Sequence, residues 1–464
     1  MSTSGSSIAS SSFAVAVAAA SAAVAALSLA VSLSTISRLR RSQSADTDPD
    51  FQVLRDAVPP KSIAEFERVA LQKMAPISKM YFQYFSDPNT TISRARDFFN
   101  SLRLVPRILQ GDLTDVDTSI TIFGQRLDMP VLVAPSAFHV LACPEGEVAT
   151  ARGAGAAGAG YCYNFMLSSK PYQDVVQEDG TKWLHLYMFK ERELVEAAVR
   201  SAFQNDGTEQ FSAIILTCDH PHQRVQGRMI PYFMNGKFPF SKLDDFFFPN
   251  QAFVWNDVTT LGQLLDPVHM QKMAEQGSAN PGGTNSYTLD WDEVKWIQNI
   301  VNSKTAMEKR NSTKKIPIVA KGILSAEDAR MAMEVGVDAI VVSNHGGRQC
   351  DFSISAIEVL PVIMSVVKGQ IPVFVDSGVR TSADILRALC LGASGVLLGR
   401  PPLWALTCEG SSGLERMLTF LKEDLKDDMR SLGVNSISQL GMKHFWPPDQ
   451  DRIRAIIKSC REKA

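Results

Sequence analysis

The run Ser343-Asn344-His345-Gly346-Gly347-Arg348-Gln349 holds the side chains best suited to chemistry. A histidine exchanges protons near neutral pH and can serve as a base. Arg348 offers a planar fork that clamps a carboxylate with two parallel hydrogen bonds. The glycines between them carry no side-chain bulk, so backbone can approach a ligand. On spacing alone the run reads equally well as a polar loop capping the next helix. The preceding segment, Asp338 to Val342, is short, apolar and β-branched, as a fully buried strand is. The polar run therefore sits at the end of a strand.

Further strands end in the same way. Met129 to Ala134 runs into Pro135-Ser136-Ala137, and Ser212 to Thr217 runs into Cys218-Asp219. Ile316 to Ala320 is followed by Lys321, Ile371 to Val375 by Asp376-Ser377-Gly378, and Ala393 to Leu398 by Gly399-Arg400. Two more strands are expected near Tyr161 to Met166 and at Trp183 to Phe189. Helical spacing alternates with these segments, beginning with a lead-in over Ile63 to Met80. Eight such units predict an α/β fold, a (β/α)8 barrel, whose chemistry lies at the C-terminal strand ends. About 220–287 lacks a steady period and is expected to be a variable loop over the barrel mouth.

Composition narrows the function classes. The chain has 464 residues, 45% hydrophobic and 21% charged, with a formal net charge of −2. That balance gives no basic field for nucleic acid. The seven cysteines contain no CxxC pair, so no structural zinc is expected, and no metal site of any other kind. The organisation expected is an apolar segment over 1–45, a linker over 46–62 and the barrel over 63–464. Phe13 to Val31 is uncharged and about one bilayer long, with Arg38, Arg40 and Arg41 beyond it. It is read as a membrane-spanning anchor, with the barrel on the cytosolic side. A mitochondrial targeting segment is the alternative, because the stretch is Ser-rich and acid-free. The C-terminus is not the S-K-L peroxisomal address.

At the strand ends the charges suit a phosphorylated cofactor and an acid substrate. Gly378, Arg380, Gly399 and Arg400 follow the last two strands, where this fold commonly holds phosphate. Lys321 supplies a cation beside a group that becomes anionic. Asp219 can orient His345 and stabilise its protonated form. The site is thus expected to bind the cofactor and the acid and to remove a proton or a hydride.

From about Ile63 to about His444 the chain resembles the FMN-dependent 2-hydroxy-acid oxidases and dehydrogenases, a family that includes glycolate and L-lactate oxidases. The motif Ser343 to Gln349 is highly specific to that family. A-P-S-A at Ala134, P-E-G-E at Pro144, K-G-I-L-S-A-E-D-A at Lys321, D-S-G-V-R at Asp376 and G-R-P at Gly399 support it. The resemblance implies His345 as base, Asp219 as its partner and Arg348 as carboxylate clamp. Tyr84 is implied at the substrate carboxylate, and Tyr187 is implied to face the substrate. Lys321 is implied beside flavin N1. Pro135, Ser136, Ala137, Thr217, Ser343 and His185 are implied around the ring, His185 standing where the family usually has Gln. Asp376, Gly378, Arg380, Gly399 and Arg400 are implied at the ribityl chain and phosphate.

Other departures concern specificity. Phe165 replaces a Ser, Leu167 a bulky Trp, and Ser377 the first Gly of Asp-Gly-Gly. An Arg-Arg pair is absent, with Arg224 and Arg228 near but out of register. The expected activity is FMN-dependent oxidation of (S)-2-hydroxy acids to 2-oxo acids, with oxygen as acceptor and hydrogen peroxide as product. A tethered dehydrogenase using a quinone or cytochrome, a flavin-binding scaffold and an FMN-barrel isomerase are the alternatives. The resemblance also implies a homo-tetramer.

Overall fold

The computed structural model describes residues 59–83, 91–188, 192–203, 210–219, 290–309, 312–350 and 352–461. Residues from Lys61 onward cluster as one compact unit. Its centre is a closed barrel of eight parallel strands in sequential order. Numbered after an initial hairpin, they are β3 (Val131–Val133), β4 (Gly160–Asn164), β5 (Lys182–Tyr187) and β6 (Ala213–Thr217). They continue as β7 (Ile318–Ile323), β8 (Ala339–Val342), β9 (Val373–Val375) and β10 (Gly395–Leu398).

Alternation along each strand separates two environments. One set of residues packs inside the barrel: Leu132, Cys162, Trp183, Ile215, Val319, Val341, Phe374 and Leu397. Trp183 and Phe374 meet edge to face, with ring centroids 5.4 Å apart. The intervening positions, such as Leu184, Ile214, Ile340 and Val396, join the larger cluster beneath the helices. Truncating a ring such as Trp183 to Ala would cost about 3–5 kcal/mol through the cavity it leaves.

Two residues further along six of the eight strands, the same inward alternation brings a polar ring to the C-terminal mouth. It contains Asn164, His185, Thr217, Lys321, Ser343 and Asp376, all buried. An apolar plug thus lies directly below a hydrogen-bonding floor. At the opposite end the hairpin β1 (Ile120–Ile122) and β2 (Gln125–Leu127) contributes Ile122 and Leu127 to the interior cluster. Its turn, Phe123-Gly124, has φ of 50° and 78°, the paired positive values of a tight hairpin. Sequence reading missed this hairpin because Phe-Gly lacks the usual Asn-Gly or Asp-Gly signal.

The lead-in is two helices, α1 (Ile63–Lys73) and α2 (Pro76–Gln83), rather than one. Met74 leaves helical geometry before Pro76, whose ring disfavours helix in the preceding residue. Helix α3 (Thr91–Ser101) follows. Around the barrel are α4 (Gly146–Ala156), α5 (Tyr172–Val175), α6 (Arg192–Phe203), α7 (Trp291–Asn302) and α8 (Lys304–Lys309). They are followed by α9 (Ala326–Glu334), α10 (Ala356–Val367) and α11 (Ser382–Cys390). The C-terminal region is α12 (Arg400–Ser431), bent at Glu409-Gly410, and α13 (Pro447–Arg461).

The membrane-spanning N-terminal helix is corrected. No helix among the described residues is long and apolar enough to cross a membrane, and Phe13 to Val31 lie outside those residues. The anchor and the cytosolic-side placement are withdrawn, and nothing supports the mitochondrial alternative. The expected variable loop at about 220–287 also lies outside the described residues.

Candidate active site

The barrel mouth opens into a cleft. Pro135, Ser136 and Ala137 line one side, and Tyr187, Lys321, His345 and Arg348 line the centre. Asp376 lines the cleft beside Lys321, and Gly378, Arg380, Gly399 and Arg400 line the far end. His185, Thr217 and Ser343 lie in the buried floor, and Asp219 stands behind His345. Tyr84 lies outside the described residues.

The first of the groups positioned by β8 is His345. It has a left-handed backbone, φ 57°, which is uncommon for a non-glycine residue and costs about 1–3 kcal/mol where the surroundings hold it. Its N–H donates to Ser343 Oγ at 3.0 Å, and the same oxygen accepts Lys321 Nζ at 3.1 Å. Its Nδ1 lies 3.0 Å from Asp219 Oδ1. Asp219 comes this close because β7 carries Gly322 opposite it. At Gly322, φ is 109°, and a Cβ would fall 2.4 Å from Asp219 Cβ. The register of β7 on β8 shifts at this point, so the strand runs past Lys321 instead of ending before it. An isolated Gly in a strand pattern was the available signal for this residue.

Lys321 is held in the floor. Its Nζ lies 3.5 Å from Asp376 Oδ2. Burial opposes its charge, but Asp376 and then Asp219 outweigh burial and raise its pKa above the ordinary lysine value. It remains a cation at neutral pH. His185 Nε2 and Thr217 Oγ1 are 2.7 Å apart, and the Tyr187 ring stands edge-on to His185.

Two residues that the sequence reading did not select complete the central wall. Tyr81 of α2 lines the cleft. Its carbonyl accepts Arg348 Nη1 at 3.0 Å, and its ring centroid lies 5.2 Å from the guanidinium carbon. Asn164 stands near the Tyr187 hydroxyl, and its Oδ1 accepts Leu167 N–H at 3.1 Å. Burial raises the Tyr187 pKa, reinforced by Tyr81 and Asp219, so the hydroxyl stays protonated as a donor. A tyrosine inside an amphipathic helix and an Asn at a strand end look like packing residues in sequence, which is why both escaped selection.

The far end is strongly cationic. Burial depresses the Arg400 pKa well below its ordinary value, and Arg348 and Arg380 depress it further. Burial pushes Arg380 down to about 10 against the pull of Glu67, with Arg96 depressing it too. Arg400 opens α12, so backbone N–H groups and the positive helix end lie beside it. The β9 loop is fixed by the capping box of α11, in which Thr381 and Asp384 exchange hydrogen bonds, while Asp384 also accepts Arg380 N–H at 3.0 Å. Desolvated guanidiniums at a helix N-terminus fit a multiply charged phosphate. Such an anion offsets their repulsion better than Glu67, whose own pKa burial raises.

Residues 70–447 match the model of the FMN-dependent dehydrogenases. The chain belongs to that family. It is 33% identical over 395 residues to glycolate oxidase 1 of Oryza sativa subsp. japonica, covering 84% of this chain and 97% of the relative. With glycolate oxidase of Spinacia oleracea it shares 33% over 407 residues, covering 86% and 99%. A crystal structure of mandelate oxidase with 3,3-difluoro-2-hydroxy-3-phenylpropionic acid is similar at 30% identity and a TM-score of 0.64, covering 82% of this chain and 97% of that one. Mandelate oxidase with (S)-2-phenylpropionate gives 30% and 0.63, covering 82% and 96%.

This FMN-dependent dehydrogenase is a 2-hydroxy-acid oxidase. FMN is its cofactor, and the cationic far end and polar floor fit the phosphate and ring. When bound, FMN supplies the two-electron acceptor that no side chain provides.

Proposed function

We propose that His345 is the base that takes the substrate proton and that Arg348 fixes the substrate carboxylate. The supporting observation is the His345–Asp219 pair, 3.0 Å apart, on the same cleft wall as Arg348. Because Nδ1 faces Asp219, Nε2 is the nitrogen that takes the proton, and the carboxylate stabilises the resulting cation. The Tyr187 hydroxyl donates to substrate oxygen, and Tyr84 is assigned to the carboxylate end. Lys321 holds positive charge beneath the reacting centre. Pro135, Ser136, Ala137, His185, Thr217 and Ser343 contact the ring. Asp376, Gly378, Arg380, Gly399 and Arg400 hold the ribityl chain and phosphate. The overall change removes two electrons and two protons from the hydroxy acid, giving the 2-oxo acid, while oxygen becomes hydrogen peroxide. His345→Gln should abolish anaerobic bleaching of bound FMN by substrate while leaving FMN affinity within about threefold. Bleaching at the parental rate would reject His345 as base.

The substrate side chain is proposed to be larger than that of glycolate. Leu167 lines the cleft, whereas Phe165 faces the surrounding layer, its ring centroid 5.7 Å from that of Tyr172. Phe165 therefore does not refill space beside Leu167. The Tyr81 ring adds an aromatic surface backed by Phe138 at 5.2 Å. Each substrate methylene buried there would gain about 0.8 kcal/mol, several-fold in binding. Similarity to mandelate oxidase structures holding aryl acids supports the same direction. In a series from glycolate to 2-hydroxyoctanoate, with mandelate included, kcat/KM should rise to four carbons or more. A monotonic fall with length would reject the enlarged pocket.

The organisation into an N-terminal segment over 1–45, a linker over 46–62 and the barrel over 63–464 is part of this proposal, as is a homo-tetramer. Exposed Ile108, Leu109 and Phe352 offer apolar surface that self-association would cover, and sedimentation equilibrium reads the mass.

A further inference from the structure

The Ser377 side chain ties the floor of the site to the backbone that carries His345 and Arg348. Its Oγ donates to Asp376 Oδ1 at 2.6 Å and accepts Gly346 N–H at 3.0 Å. Asp376 is the carboxylate that faces Lys321. On the other side of the same pair, Ser343 Oγ accepts both Lys321 Nζ and the His345 N–H. Two serines, one beside each member of a buried ion pair, thus hold successive N–H groups of the His345-Gly346 backbone. Arg400 Nη1 grips the Gly346 carbonyl at 3.1 Å.

The backbone at Ser377 makes this contact informative. Its φ is 71°, in the left-handed region where glycine is favoured and a serine is strained. A residue chosen only to complete the turn would be glycine. The strained choice places a hydroxyl, buried with the rest of the side chain, between a carboxylate and the N–H next to His345.

We propose that Ser377 is a positioning residue for the oxidation. Through Gly346 it fixes the distance of His345 and Arg348 from the Lys321–Asp376 floor. The inference rests on the reading of His345 as base. Gly346 also has positive φ, 66°, so the segment needs outside contacts to select one conformation.

The test compares Ser377→Ala with Ser377→Gly in the full chain loaded with FMN, and His345→Gln serves as a control. Both Ser377 variants lose the hydroxyl, but only Ser377→Gly relieves the backbone. Ser377→Gly should therefore melt at a higher temperature than Ser377→Ala, measured without FMN as well as with it. Both should nevertheless bleach FMN about 10–100-fold more slowly at saturating substrate, the size expected for misplaced reacting groups. Their FMN dissociation constants should stay within about threefold of the parent. A parental bleaching rate in Ser377→Gly would overturn the proposal. So would recovery of the full rate on raising FMN, since Ser377 would then serve cofactor retention alone. If His345→Gln itself reduces FMN normally, the base assignment fails and the inference fails with it. If His345→Gln is inactive while Ser377→Gly is unchanged, only the positioning role is lost.

Discussion

Gly322→Ala should disable the enzyme without touching a group that contacts substrate. The added Cβ would lie 2.4 Å from Asp219 Cβ, 2.5 Å from its Cγ and 2.9 Å from its backbone N. Non-bonded carbons sit about 3.5–4.0 Å apart, so the pair must separate by more than about 1 Å. The obstructing atoms are near the main chain, so rotation of a flexible tip cannot relieve the clash. Nor is the residue's φ of 109° comfortable for alanine. Displacing Asp219 by about 1 Å stretches its 3.0 Å contact with His345 Nδ1 beyond hydrogen-bonding range. Overpacking and backbone strain together should cost about 2–4 kcal/mol of stability. Loss of the orienting carboxylate should slow FMN bleaching about 10²-fold, equivalent to about 2.7 kcal/mol in the barrier. The assay is anaerobic stopped-flow bleaching at saturating substrate, alongside a thermal melt and an FMN titration. Asp219→Asn is the matched control, removing the charge with little change of shape. If folded, FMN-replete Gly322→Ala reacts at the parental rate, the assigned coupling between Asp219 and His345 is refuted.

Two further substitutions separate substrate binding from cofactor binding. Arg348→Lys keeps the charge but loses the planar fork, so KM should rise and kcat fall while FMN affinity is unchanged. An unchanged KM in steady-state turnover would count against the clamp. Arg400→Ala removes a charged donor from the far end and should weaken FMN binding by about 10–100-fold, from a loss of about 1.5–3 kcal/mol. Fluorescence titration of apoprotein with FMN measures this, and an unaltered dissociation constant would place the phosphate elsewhere.

Much of this architecture was legible because the strands have little freedom. A parallel strand buried on both faces must be short, apolar and β-branched, and Ala339–Val342 and Ala213–Thr217 announce themselves in that way. Polar residues just after such an apolar run lie at the barrel mouth, which made His345, Lys321 and Asp376 readable. The hairpin turn Phe123-Gly124 carried no comparable constraint, because a tertiary contact supports it: Phe123 packs on Trp183 with centroids 5.5 Å apart. Tyr81 was hidden for a related reason. Its role depends on where α2 is docked, and helical spacing records only that one face is buried.

Phe165 shows how the same alternation settles a question that residue identity leaves open. Sequence places Phe165, Met166 and Leu167 together at a strand end without saying which one meets the ligand. Within β4, Cys162 belongs to the barrel interior and Tyr163 to the outer layer. Continuing by twos, Asn164 turns inward to the floor and Phe165 turns outward to Tyr172. The strand ends at Asn164, and its Oδ1 accepts the Leu167 N–H, folding the chain so that Leu167 returns over the cleft. One buried amide beside Tyr187 therefore aims Leu167 at the substrate space. The side-chain specificity proposed for this oxidase rests on that register, and a shift of one residue would exchange the roles of Phe165 and its neighbours.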